Sequence, residues 1–226
     1  MNLIEKKKKY YSSNETVNEY INLRYDNYGG KYVLDKENDA LKSLIDESAI
    51  YFDMPAGYGR INPILKAGFI SCDYSFNFLK INNNSIKINC DIFHLPFKDN
   101  SVKNIISLRF FFHFNDSNIT LILSEFKRVL QSGGNLIFNF YLWTPMVLGN
   151  YFPAKFGGKS FGHSEKKIKI ILKNIGFGIE ATAKKFLLPP FIYTFLPKFL
   201  IKIISIIEQY KFGDYFKLDY YYRIKK

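Results

Sequence analysis

With 226 residues, 47% of them hydrophobic and 18% aromatic, the chain can bury the core of one α/β domain with decorations, which excludes a disordered protein. The net charge of +12 is uneven: residues 155–226 carry 15 Lys and Arg against 5 Asp and Glu, and residues 1–154 carry 17 against 15, so a polyanionic partner or an anionic membrane surface is expected near the C-terminal third. Cys72 and Cys90 lack metal-ligand spacing, no apolar run follows Lys6 to Lys9 to make a signal peptide, and no uncharged window suits a membrane span, so a cytoplasmic protein with buried free thiols is expected.

Residues 1–47 are polar and tyrosine-rich and read as a helical cover. Helices are expected at 14–23 and 37–46, broken by a turn over Leu23-Arg24-Tyr25-Asp26-Asn27-Tyr28-Gly29-Gly30. A second unit is expected over 48–226. In it strands at 49–53, 69–74, 86–91, 102–108 and 135–142 alternate with helices at 60–67, 75–82 and 117–130. Asp116 or Ser117 is the expected N-cap of the last of these, and Gln131-Ser132-Gly133-Gly134 its stop and turn. Residues 143–162 hold two Pro and four Gly within 144–162 and read as a loop over one face. A helix at 163–174, a strand at 177–187, an apolar insertion at 188–212 and a strand at 214–224 follow. Alternating βα units with right-handed crossovers give an α/β, doubly wound, mainly parallel sheet, here of seven strands.

The chemistry clusters at strand ends. Asp53 closes the first strand and Met54-Pro55-Ala56-Gly57-Tyr58-Gly59-Arg60 follows. A strand, a Gly turn and a helix start surround a ligand with backbone N–H groups, and Gly57 and Gly59 allow close approach. A dinucleotide fingerprint needs a third small residue and meets Asn62, so no affinity for a nicotinamide dinucleotide is expected. Asp73 ends the second strand, where a carboxylate can accept ribose hydroxyls. Further on stand Asn89-Cys90-Asp91-Ile92-Phe93-His94-Leu95-Pro96-Phe97-Lys98-Asp99-Asn100-Ser101, then Leu108-Arg109-Phe110-Phe111-Phe112-His113-Phe114, then Arg128-Val129-Leu130-Gln131-Ser132-Gly133-Gly134.

In this order, over residues 45–142, these stretches resemble class I S-adenosylmethionine-dependent methyltransferases of the small-molecule or lipid type. The resemblance implies a Rossmann-like fold and S-adenosylmethionine as cofactor. It implies Asp53 at the methionine amino group, Pro55, Ala56, Gly57 and Gly59 in the loop, and Asp73 at the ribose. Asp91 would lie beside the adenine amino group with Ile92 against the base, and Tyr74 and Leu108 complete the set. Arg24, Gly29, Gly30 and Glu37 resemble part of the family's N-terminal cover. Pro55 and Ala56 replace more usual loop residues. Ser107-Leu108-Arg109-Phe110 stands where base-amino methyltransferases carry Asn/Asp-Pro-Pro-Tyr/Phe, which argues against that activity. No metal-ligand cluster suggests a metal-dependent mechanism.

Methyl transfer needs in-line alignment and exclusion of water, and an oxygen acceptor also needs a base. His113, just after the fourth strand, is the first candidate for it. His94 is expected against the adenine end and His163 at a helix start, while Tyr10, Tyr11, Tyr25 and Tyr28 are candidates to cap the pocket. Residues 186–212 carry an apolar helix in which Lys198, Lys202, Ser205 and Gln209 form a narrow polar stripe. Phe199, Leu200, Ile201, Ile203, Ile204, Ile206 and Ile207 cover the rest. Such a helix buries against its own domain, a second copy in a homodimer, or the lipid interface. Lys184, Lys185, Lys198, Lys202 and Lys211 flank it and favour an anionic membrane, with a hydrophobic or lipid-like acceptor and a peripheral location. The alternatives are a nucleic-acid methyltransferase or binder, which the charge asymmetry suggests, and a non-catalytic cofactor-binding subunit.

Overall fold

The computed structural model describes residues 2–24, 27–61, 64, 68–83, 86–142, 161–210 and 215–226. Strands β1 (Tyr51–Asp53), β2 (Phe69–Asp73), β3 (Ile86–Asn89), β4 (Val102–Ser107), β5 (Leu130–Tyr141), β6 (Gly178–Lys185) and β7 (Asp219–Lys225) form one sheet. Its order is β3-β2-β1-β4-β5-β7-β6. The first five strands pair in parallel, and β7 runs antiparallel to both β5 and β6. The strand order reverses between β1 and β4, which leaves a crevice at their carboxyl ends.

Period-two alternation in the central strands builds a core on each face. Ile105, Phe138 and Tyr222 join one cluster, with Ile119, Ile122, Leu123 and Phe126 of α5 (Asp116–Val129). Their immediate neighbours Ile106, Ile137 and Tyr221 join the other, with Leu41 of α3 (Tyr28–Lys42), Leu44 and Tyr51. Each such side chain, fully buried, contributes about 1.5–3 kcal/mol. Helix α6 (Glu165–Ile175) packs beside α5. Near the start α1 (Leu3–Tyr11) and α2 (Asn14–Arg24) precede α3, and α4 (Phe76–Ile81) follows β2. Before β7 come α7 (Pro190–Tyr193) and α8 (Lys198–Gln209).

Several expectations need correction. Gly29 and Gly30 lie in the first turn of α3, where the Asn27 side chain accepts from the Gly30 N–H at 2.7 Å. A Cβ on Gly29 would stand 1.8 Å from the Tyr193 carbonyl oxygen, so this glycine serves close packing against α7 and no turn. Asn115 caps α5, in place of Asp116 or Ser117, by accepting from the Asn118 N–H at 3.0 Å. The helix ends at Val129 and Leu130 already pairs with Val102, so Gln131 to Gly134 is a bulge inside β5. Gly133 (φ 73°) supplies the left-handed step there. Arg60 and Ile61 of the expected helix 60–67 lie in a turn, and Ile64 has 3₁₀ geometry. Residues 62–63 and 65–67, like 143–160 of the expected loop and 211–214, are outside the described residues. Helix α1 has no counterpart among the expected elements; Asn2 and Glu5 form a reciprocal capping box at its start.

A buried ionic network clamps α3 onto the sheet. Glu37 is fully buried and pairs with both Arg60 and Arg109, the latter at 2.6 Å. Arg109 lies 3.6 Å from Asp219, which also accepts from Asn139 Nδ2 and from the Tyr221 hydroxyl, both at 2.8 Å. The Arg109 backbone is left-handed (φ 58°) and its N–H donates to Asn139 Oδ1 at 2.7 Å. That turn directs the chain from β4 into the crevice.

Candidate active site

The loop after β1 crosses β2 and is tied to it. The Ala56 N–H donates to the Cys72 carbonyl at 2.9 Å and the Gly57 N–H to Asp73 Oδ2 at 2.7 Å. Gly57 (φ 54°) and Gly59 (φ 84°) both take the left-handed region, which is why the sequence needs glycine there. Asn82 Nδ2 bridges the Gly57 carbonyl at 3.2 Å and Ser71 Oγ at 3.1 Å, fixing the loop from below. Asp73 Oδ1 accepts from the Ser75 N–H at 2.7 Å.

Beside this loop opens a cleft of about 1120 Å³, its open mouth included. Pro55, Ala56, Gly57, Asp73, Tyr74, Asp91, Ile92, Leu108 and His113 all line it. Asp53 and Gly59 do not: Asp53 is 3% exposed and lies under the loop. Burial and the neighbouring Asp73 hold the Asp53 carboxyl well above the ordinary carboxylate range. Burial also lifts Asp73 to about 6, against the pull of the Ser75, Gly57 and Tyr74 N–H groups. Two buried carboxylates side by side favour a cation over or between them.

Helix α1 roofs the cleft with Ile4, Lys7, Lys8 and Tyr11. Lys8 forms an ion pair with Asp91 and places its ammonium 4.7 Å from the Tyr74 ring centroid. Asn89 Nδ2 fixes Tyr74 through the carbonyls of Asp73 (2.9 Å) and Tyr74 (2.8 Å). His113 ends a 3₁₀ turn, Phe111–His113, and is buried. Its Nδ1 lies 3.0 Å from Lys7 Nζ and its Nε2 3.3 Å from the Tyr11 hydroxyl. Phe110, Phe112 and Phe114 wall the same end against water.

The other candidates fall elsewhere. His94 is exposed and outside the cleft wall, because its backbone bridges back to Asp91 and turns the side chain outward. His163 precedes α6, is buried, and joins Asp116 Oδ1 at 3.0 Å to the Phe111 carbonyl at 3.3 Å, a packing role. Tyr28 is an exposed residue under Lys198, and Tyr25 lies outside the described residues. The sequence reading passed over Lys7, Lys8 and Arg60. Only the Asn2-x-x-Glu5 capping box signalled the helix that carries the first two.

Residues 52–138 match the family described as a methyltransferase domain. That span contains β1 from Phe52 on, β2 to β4, the loop, Asp73, Asp91 and His113. Residues 52–138 therefore carry a methyltransferase domain. A methyltransferase domain implies methyl transfer as the activity and S-adenosylmethionine as the cofactor. Solved structures share the fold over nearly the whole length of this chain. Magnesium protoporphyrin IX methyltransferase from Synechocystis PCC 6803, with bound SAH, matches with a TM-score of 0.67 and 16% identity over 100% of both chains. A SAM-dependent methyltransferase from Thermotoga maritima matches at 0.68 and 17% identity, over 94% of this chain and 97% of that one. Geranyl diphosphate methyltransferase in complex with GPP and sinefungin matches at 0.64 and 13% identity, over 99% and 98%. No curated protein sequence matches significantly. The α1 roof, the α3 clamp and α8 all lie outside residues 52–138.

Proposed function

We propose that the chain transfers a methyl group from S-adenosylmethionine to a small, hydrophobic, lipid-like acceptor. The cofactor is held at Pro55, Ala56, Gly57, Asp73, Tyr74, Asp91, Ile92 and Leu108, with Asp53 and Gly59 acting from beneath the loop. The observation that carries this is the pair of buried carboxylates Asp53 and Asp73 at a glycine loop, the Gly57 N–H bonded to Asp73, at the sheet's reversal point. When bound, the cofactor supplies an activated methyl group on a sulfonium, and its cationic centres suit this acidic floor. Asp91 exchanges its Lys8 partner for the ligand, and the aromatic residues around His113 exclude water from the reacting end. His113 is the candidate base.

Calorimetric titration with S-adenosylmethionine tests the binding: one site is expected, and a folded wild type that gives no binding heat overturns the reading. Asp73→Ala, which removes the carboxylate that lines the cleft, should weaken binding by about 1.5–3 kcal/mol, the size of a charge-assisted interaction.

The lipid-like acceptor rests on α8. Its inner face docks through Ile201 and Ile204, which pack with Val33, Phe186 and Tyr193. Glu208 locks its rotation by accepting from the Tyr32 and Tyr193 hydroxyls at 2.5 Å each and from the Leu187 N–H at 3.0 Å. The helix is therefore two-sided, and packing on its own domain accounts for only one side. The other presents Phe199, Ile203, Ile206 and Ile207, with Phe195 just before and Tyr210 just after; Phe195 is 79% exposed. Among the described residues no helix is long and apolar enough to cross a membrane. An exposed apolar face of this kind suits the interfacial layer of a bilayer. Lys198, at the start of α8, lies over the Tyr28 ring at 5.0 Å, and Lys36 of α3 lies over Tyr32 at 5.5 Å. Lys36 and Lys217 also crowd Lys185, adding to burial in holding its proton affinity down.

Flotation with anionic liposomes at low salt should carry the intact protein upward. A variant with Phe199, Ile203 and Ile206 changed to Ser should stay below. If wild type stays at the bottom and scatters light as a dimer, the face is a contact between copies and the membrane reading fails.

A further inference from the structure

Two side chains of α1 bracket the His113 imidazole: Lys7 Nζ at Nδ1 and the Tyr11 hydroxyl at Nε2. All three line the cleft, and Lys7 and His113 are buried. Packing holds the ring in place, with Tyr11 edge-on at 5.2 Å and Phe112 at 4.0 Å between centroids. We propose that Lys7 is a positioning residue whose protonation sets the tautomer of His113, and so decides whether the His113–Tyr11 pair can take a proton from the acceptor. The role of the pair in catalysis rests on the methyl-transfer reading; the tautomer switch itself does not.

The logic follows from the donor inventory. A lysine ammonium only donates. It forces Nδ1 to accept, so the neutral ring carries its hydrogen on Nε2 and offers it to the Tyr11 oxygen. In that state the pair cannot receive a proton. A neutral lysine amine accepts instead. The ring then carries its hydrogen on Nδ1, and Nε2 accepts the Tyr11 O–H. An acceptor hydroxyl can now give its hydrogen to the Tyr11 oxygen while the Tyr11 hydrogen passes to Nε2 and the Nδ1 hydrogen passes to Lys7. The acceptor oxygen keeps the electron pair of its O–H bond and makes the bond to the incoming methyl; the pair of the broken carbon–sulfur bond stays on sulfur. The positive charge leaves sulfur and ends on Lys7, so charge and atoms balance.

Burial supplies the means, because it lowers Lys7 to about 8, where both forms are populated near neutral pH. The charged groups that share the cleft are Lys8 on the same helix, Arg60 and Asp73 at the loop and β2, Asp91 after β3, and Arg109 after β4. Asp91 is held by Lys8, and Arg60 and Arg109 by Glu37. Lys7 is thus the cleft cation placed directly on the imidazole.

The test is ¹⁵N NMR of the full chain labelled at histidine, from about pH 6.5 to about pH 9.5. Substitution of His94 and His163 assigns the His113 signals. In wild type the ring should change from the Nε2–H to the Nδ1–H tautomer near pH 8. Lys7→Arg, which keeps its charge, should hold the Nε2–H form throughout, and Lys7→Met should abolish the step. An unchanged wild-type tautomer across the range, or the same step in Lys7→Met, overturns the proposal. The wild-type titration decides the matter even if a variant misfolds. Cofactor calorimetry on the same sample separates the two readings: binding without a switch removes only the role of Lys7, and a switch without binding removes only methyl transfer.

Discussion

Glu37→Ala should cost about 3–5 kcal/mol of folding stability, the usual penalty for breaking a buried ion pair from one side. Glu37 is fully buried and is the shared partner of Arg60 and Arg109, whose side chains are only 10% and 9% exposed. Removing its carboxylate leaves two guanidinium groups with little water to replace it. Asp219 cannot compensate: it stands 3.6 Å from Arg109 and burial already raises its proton affinity. Because a domain of this size is stable by only about 5–15 kcal/mol, this one change removes a large share. Glu37→Gln keeps the shape and one acceptor oxygen for one guanidinium but turns an NH2 donor toward the other, so a loss smaller than that of Glu37→Ala is expected. Urea unfolding measures both; a Glu37→Ala midpoint within about 1 kcal/mol of wild type, at equal slope, would mean the network contributes nothing net. The same change should disturb the cleft, since Arg60 and Arg109 are part of its wall.

The parallel sheet was legible because β-rich apolar runs recur with helical stretches between them, and the first three runs end in a carboxylate, Asp53, Asp73 and Asp91. Asp73 and Asp91 stand at the cleft for that reason. Tertiary contacts overrode the local signals elsewhere. Gly29-Gly30 looks like a turn, yet Asn27 caps a helix through it and the Tyr193 carbonyl needs the missing Cβ. Asp53 reads as a wall residue, but at the end of β1 it is buried below the loop, which only the packing reveals. His113 was recognisable from its place after β4. Its partners Lys7 and Tyr11 lie more than a hundred residues upstream, on a lysine-rich helix with no apolar stripe to announce it. The apolar face of α8 was visible in the sequence, but not its outward aim, because Glu208 fixes that by reaching into a pocket formed by α3 and α7.

Binding of S-adenosylmethionine should weaken as the pH falls through about 6, because the cationic ligand needs the Asp73 carboxylate ionised and Asp73 titrates there. Below that point affinity should drop by up to tenfold per pH unit, about 1.4 kcal/mol each, from this one group. The ligand-free protein should show the opposite trend. A carboxyl whose folded pKa is raised binds its proton more tightly when folded than when unfolded. Its stabilising share is complete below the unfolded value near 3.8 and is lost as the pH rises through about 6. For the fully buried Asp73 that loss is about 3 kcal/mol. Asp53 is raised in the same direction and adds to it. The ligand-induced shift in melting temperature should therefore be small near pH 5 and large near pH 7.5, as the bound cation restores what ionisation removed. Asp73→Asn should flatten the profile while keeping an acceptor for the Gly57 N–H, which separates the charge from the loop's hydrogen bond. A wild-type shift that is equal at both pH values would show that the two carboxylates do not face the cofactor's charge, and would detach the acidic floor of the cleft from its cofactor role.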